Sequence, residues 1–96
     1  MPLLAKFRIV GHSMEPGIKN EEAVLVSSIP YWFKVPQISD IVAFKDNNGK
    51  ILIKKISKIQ NGEYFMKGDN KDDSWDSRQF GYIQRRQIIG EVIYKL

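Results

Sequence analysis

Residues 50–59 read Lys50-Ile51-Leu52-Ile53-Lys54-Lys55-Ile56-Ser57-Lys58-Ile59. Asn48-Gly49 stands before this stretch and Asn61-Gly62 after it. β-branched residues bounded by two turn dipeptides predict a strand over 51–59, entered by one reversal and left by another. Working outward, Asp40-Ile41-Val42-Ala43-Phe44 predicts the strand before the first turn, and Glu63-Tyr64-Phe65-Met66-Lys67 the strand after the second. Phe7-Arg8-Ile9-Val10, Glu22-Ala23-Val24-Leu25-Val26 and the segment Ile88 to Tyr94 complete the pattern. Only residues 13–19 could hold a turn of helix. Short strands with Gly and Asn turns, and no helical periodicity, predict an all-β fold: a small coiled sheet or partial barrel.

Ninety-six residues make a single domain over 1–96. Hydrophobic residues at 43% and charged residues at 27% fit an ordinary globular chain. The chain has no cysteine and one histidine, so neither a disulfide nor a thiolate metal site can form, and no metal or cofactor is expected. A net charge of +4 with no basic motif beyond Arg85-Arg86 gives no reason to expect nucleic-acid binding. No run approaches the roughly 20 apolar residues that span a bilayer.

The strand over 51–59 has an odd feature. Alternation puts Leu52, Lys54 and Ile56 on one face, and Ile51, Ile53, Lys55, Ser57 and Ile59 on the other. Each face carries a lysine among apolar neighbours. Such a lysine either snorkels to solvent or is held in apolar surroundings that disfavour its charged form. A neutral amine can serve as a general base. Free lysine titrates near 10.4, and bringing it to about 8 takes roughly 3 kcal/mol, which burial can supply.

Three further stretches stand out. In Gly11-His12-Ser13-Met14-Glu15-Pro16 a serine adjoins the only histidine. Neighbours on an extended chain point apart, so His12 is expected to be exposed and dispensable, with no orienting carboxylate. Residues 68–78, Gly68-Asp69-Asn70-Lys71-Asp72-Asp73-Ser74-Trp75-Asp76-Ser77-Arg78, fail the EF-hand pattern because Lys71 and Ser74 take required positions. A tight polar turn braced by Asp76 and Arg78 is expected there, with a generic carboxylate site as the alternative. Ile29-Pro30-Tyr31-Trp32-Phe33-Lys34-Val35-Pro36 predicts a loop. Its aromatics either fold onto the core or form an apolar tip for peripheral membrane contact through Tyr31, Trp32 and Phe33.

Taken in order, the Ser-Met-x-Pro turn, the Asp40–Phe44 strand, Ile53-Lys54-Lys55 and the loop from Gly68-Asp69-Asn70 to Ser74, Asp76, Ser77 and Arg78 resemble the type I signal peptidase family of Ser/Lys proteases. The likeness covers nearly the whole chain. It implies that family's coiled all-β catalytic core, which self-cleaving repressors share. It implies Ser13 as nucleophile and Lys54 as general base, the choice over Lys55 resting on alignment with the family's Ile-Lys-Arg. It implies that Ser74 orients the Lys54 amine, that Asp76 and Arg78 form a bracing pair, and that the Ser13 backbone N–H is an oxyanion donor. Many relatives carry a serine two residues before the nucleophile as a second donor. This chain has Gly11 there, so that donor is left open.

The resemblance also implies a partner: the extended leader or signal peptide of a precursor, bound as an added strand and cut after small residues such as Ala-x-Ala. Ile9, Met14, Leu52 and Ile53 are expected around its pockets or, equally, in the core. Ser39 stands where the family has a glycine before Asp40. The membrane anchor and the large insertion after the base strand are missing, as in a core cut from a longer anchored protein. The location implied is the membrane, held peripherally or through a segment outside this chain. The chain is also similar to short soluble relatives that trim the leader of nickel superoxide dismutase, which would place it in the cytoplasm. A catalytically silent peptide-binding module on this fold is the alternative from another class. The self-cleaving repressors cut an Ala-Gly or Cys-Gly bond, and no such dipeptide occurs here.

Overall fold

A computed structural model describes residues 3–70 and 75–96. Seven strands form one antiparallel sheet: β1 (Ala5–Arg8), β2 (Ala23–Ser27), β3 (Ile41–Lys45), β4 (Ile51–Gln60), β5 (Glu63–Lys67), β6 (Ile83–Gln84) and β7 (Ile88–Lys95). Their order across the sheet is β1-β2-β7-β3-β4-β5-β6. The sheet curls into a half-barrel, the all-β architecture expected. Register slips between Leu25 and Val26, Ala43 and Phe44, and Ile56 and Lys58 mark bulges, which raise local twist and bend strands.

Turn chemistry sets the hairpins. Asn61 and Gly62 both have positive φ, 53° and 75°, which is the two-residue turn whose twist matches the strands it joins. At the other reversal Asp46 accepts from the amides of Asn48 and Lys50.

Alternation along β3 explains why the sheet has two cores. Val42 and Phe44 face one way, into a cluster with Tyr31, Ile56, Tyr64, Met66, Ile83 and Ile88. Ala43 faces the other way, with Ile9, Met14, Ile18, Val24, Val26 and Ile89. The curl lets the sheet cover both of its own faces.

The structure departs from the sequence reading at several places. β1 begins two residues early and stops at Arg8, because its pairing with β2 ends where Arg8 meets Ala23. Residues 13–19 form a succession of turns and no helix. The helical turns lie elsewhere. α1 (Pro30–Phe33) forms where Pro30, with its fixed φ, starts the turn. α2 (Ser77–Phe80) forms because Asp76 and Gln79 make a reciprocal capping box. The two-residue β6 and the 3-10 turn Arg85–Gln87 carried too little pattern to be expected.

Candidate active site

The chain leaving β1 turns sharply at residues 12–18. Glu15 N–H donates to the His12 carbonyl at 3.1 Å and Ile18 N–H to the Met14 carbonyl at 2.9 Å. Gly11 precedes the turn at φ +106°, a conformation that side chains rarely adopt, and its N–H donates to Asn20 Oδ1 at 2.8 Å. Met14 is buried in the second core, which anchors the turn from below. Ser13 is thereby presented toward β4.

Lys54 lies on β4 with Leu52 and Ile56 on its face and Val42 as its cross-strand partner. It is only 4% exposed. Its Nζ donates to Ser13 Oγ at 2.6 Å. The two lysines that alternation left open are thus separated: Lys55, on the opposite face, pairs with Asp69 at 3.0 Å. A serine hydroxyl in hydrogen-bond contact with a buried amine can pass that amine its proton.

Residues 68–70 and 75–80 carry the contacts that brace this region. Asp76 is fully buried and accepts from the amides of Gly68 and Arg78 and from Arg78 Nε and Nη2, all at 3.0 Å. Burial alone would push its carboxyl up, but the Arg78 guanidinium and the two amides outweigh that and hold it below the usual range. The expected Asp76–Arg78 pair is therefore present. Ser77 Oγ accepts from Met66 N–H at 2.7 Å and pins α2 to β5. Ser74 lies outside the described residues, as do Asp72 and Asp73. Among the described residues no group of three His, Cys, Asp or Glu side chains could hold a metal ion.

Two contacts went unforeseen. Asn70 bonds the serine turn twice, its N–H donating to the Ser13 carbonyl at 2.7 Å and its Nδ2 to the His12 carbonyl at 3.1 Å. Its place in the Gly68-Asp69-Asn70 run was the only signal. His12 does have a carboxylate beside it: Glu15 Oε2 lies 2.8 Å from its Nδ1. The turn that brings Glu15 N–H to the His12 carbonyl also folds that side chain back. The His12 hydrogen bond, helped by the Asn20 amide, keeps the Glu15 carboxyl below its usual range.

A cleft of about 570 Å³ runs past the serine, lined among others by Ile9, Met14, Leu52, Ile53, Lys54 and Trp75. Ile9 and Met14 are buried in the second core, and Leu52 and Ile53 pack partly against the two cores. Among the described residues, no strand pairs with the side of Ile51–Lys54 away from β3, because β5 pairs with β4 only from Lys55 onward.

The aromatic stretch divides. Trp32 and Phe33 are 61% and 84% exposed, but Tyr31 is buried and its OH donates to Asp40 Oδ2 at 2.7 Å. Tyr31 is thus corrected out of the apolar tip: consecutive residues of a helix point about 100° apart, so the three cannot share one face. Burial, then the Asp40 hydrogen bond, pushes its phenol well above the usual range. No helix among the described residues is long and apolar enough to cross a membrane.

Comparison with known proteins gives one consistent result. The family model "Signal peptidase, peptidase S26" matches residues 1–57 and 53–96. Signal peptidase I V of Bacillus subtilis (strain 168) is 25% identical over 137 residues, covering 90% of this chain and 82% of its own. Mitochondrial inner membrane protease subunit 1 of Mus musculus is 30% identical over 108 residues, covering 90% of this chain and 65% of its own. Signal peptidase I of Buchnera aphidicola subsp. Baizongia pistaciae (strain Bp) is 29% identical over 92 residues, which is 86% of this chain but 28% of that protein.

Proposed function

The chain belongs to the signal peptidase family, peptidase S26, and from that premise we propose that it is a serine endopeptidase with Ser13 as nucleophile and Lys54 as general base. The observation that carries the reading is the 2.6 Å contact between Ser13 Oγ and a lysine 4% exposed. Burial disfavours the ammonium form and so favours the neutral amine that a general base requires.

Lys54 Nζ takes the proton as Ser13 Oγ attacks the peptide carbonyl carbon. The carbonyl electrons move to oxygen, and the Ser13 N–H donates to that oxyanion. Such a donor lowers the barrier by about 3–4 kcal/mol. Collapse breaks the C–N bond, and the Lys54 ammonium returns its proton to the leaving amine. Water, deprotonated by the same amine, then hydrolyses the ester on Ser13. The Gly11 N–H is engaged by Asn20 Oδ1, so Gly11 is not the second donor.

The substrate is the leader or signal peptide of a precursor protein, held as an extended strand along the open side of Ile51–Lys54. Ile9, Met14, Leu52 and Ile53 line the cleft where small residues before the cut would sit. Trp32 and Phe33, with exposed Val35 and Ile38 nearby in sequence, form the apolar tip for peripheral membrane contact. That contact predicts co-sedimentation with anionic vesicles, weakened by Trp32→Ser with Phe33→Ser; equal sedimentation of both proteins would refute it.

The test of the dyad is cleavage of a synthetic extended peptide carrying Ala-x-Ala. Ser13→Ala and Lys54→Met abolish cleavage, and His12→Ala retains most of it. The wild-type rate rises with pH as Lys54 loses its proton, with an apparent pKa well below 10.4. Full activity in Lys54→Met with loss in His12→Ala would overturn the assignment in favour of the His12–Glu15 pair. Binding without cleavage by the wild type would mark a silent peptide-binding module.

A further inference from the structure

We propose that Asn70 is a positioning residue for the oxyanion site, which its side chain aims through the His12 carbonyl. The inference rests on the Ser13 reading above. A peptide unit is planar, and in its trans form the C=O and N–H point in opposite directions. Among the described residues only Glu15–Pro16 is cis. The His12 carbonyl and the Ser13 N–H therefore share one rigid plane, and holding the oxygen fixes where the N–H points. Asn70 Nδ2 holds that oxygen at 3.1 Å.

The next plane carries the Ser13 carbonyl and the Met14 N–H. Asn70 holds it too, through its backbone N–H at 2.7 Å. One residue, 57 positions from Ser13 in sequence (70 − 13), thus grips both planes that flank it. The His12–Ser13 plane turns about His12 ψ and Ser13 φ, and a hydrogen bond to its carbonyl oxygen resists the turn. The Glu15 N–H bond to the same oxygen comes from within the turn and would move with it. Asn70 comes from the loop after β5, which Asp76 and Ser77 fasten to the body of the fold.

The side chain and backbone bonds are separable. Asn70→Ala deletes the Nδ2 donor and keeps the N–H. With the Ala-x-Ala peptide, Asn70→Ala should lower kcat about 10–100-fold with KM within about twofold, because a misaimed donor loses part of the 10²–10³ that a deleted one loses. The apparent pKa of the rate should not move, since Lys54 is untouched. A peptide aldehyde ending in the same Ala-x-Ala sequence should lose affinity by the same factor as kcat/KM. Ser13 Oγ adds to its carbonyl carbon and the carbonyl oxygen takes the electron pair, as in the reaction. An uncleaved peptide of that sequence should bind unchanged.

A merely structural role would lower kcat and ground-state binding together, or leave kcat alone in the folded fraction; either result overturns the inference. Asn70→Leu, matched more closely in volume, is read the same way, and failure of both variants to fold also overturns it. Ser13→Ala is run alongside. Activity in Ser13→Ala sinks the nucleophile assignment itself, whereas an inactive Ser13→Ala beside a fully active Asn70→Ala sinks only this inference.

Discussion

Lys54 and Asp76 are the charged side chains buried among the described residues, and they are buried in opposite ways. Asp76 receives two amides and two guanidinium N–H groups, and its carboxyl is held below the usual range in spite of burial. Every hydrogen bond to its side chain favours the ion. Lys54 instead shares its strand face with Leu52 and Ile56 and meets a hydroxyl, Ser13 Oγ, at 2.6 Å. Its sequence neighbour Lys55, on the opposite face, pairs with Asp69. Burial of a charge is thus no sign of function by itself. A buried ion surrounded by its counter-charges is a brace, whereas a buried base aimed at a hydroxyl is chemistry held ready.

The largest effect that separates the two is on activity. Lys54→Met should cost at least the 10²–10⁴-fold typical of losing a general base, yet leave the unfolding free energy equal or higher, because an apolar side chain of similar length suits a buried site. Loss of both activity and fold in Lys54→Met would show that Lys54 is a brace as well, and the contrast would fail. Urea unfolding at fixed pH decides it.

Asp76→Asn reverses the expectation. It removes the charge from several hydrogen bonds, and stability should fall by about 2–3 kcal/mol. The acid side gives a second reading of the same residue. A carboxyl held below its unfolded value of 3.8 contributes stability that is present above that value and is lost as pH falls through the folded one. The wild type should therefore weaken in acid more steeply than Asp76→Asn. Parallel stability–pH curves would mean that Asp76 carries no such linkage.

The contrast was half legible in the sequence. Alternation along residues 50–59 put Lys54 beside Leu52 and Ile56, and it put Lys55 on the other face, but both lysines looked alike until β3 and β5 were in register. What resolved them is long-range: Asp69 reaches Lys55, and the 12–18 turn reaches Lys54, neither of which strand parity can place. The all-β fold came from turn dipeptides and β-branched runs, which are local. α1 and α2 were missed because a single helical turn has no periodicity. Asp76 with Gln79 carried the capping signal, yet Asp76 followed by Ser77 and Arg78 looked only like a polar turn. Asn70 was invisible in its present role because its partners are backbone carbonyls, which every residue has. The carboxylate beside His12 was missed for the opposite reason, since Glu15 is only three residues away and the turn that folds it back was unrecognised.

The smallest effect tests the neighbour. Lys55 is 38% exposed at its side chain and its partner Asp69 is 29% exposed, so solvent screens the pair and it should contribute under about 1 kcal/mol. Lys55→Gln should therefore lower the unfolding free energy by no more than that, and the difference from wild type should shrink further as salt is raised. Its activity should remain within a fewfold of wild type, because Asp69 is held in the same loop by the Asn70 bonds to residues 12 and 13. Adjacent lysines on one strand, one indispensable and one nearly silent, would then differ only in the face on which β4 presents them. A loss of cleavage in Lys55→Gln comparable to that in Lys54→Met would mean that the Lys55–Asp69 pair helps place the serine turn. The division between brace and base would then have to be drawn between two loops rather than between two faces of a strand.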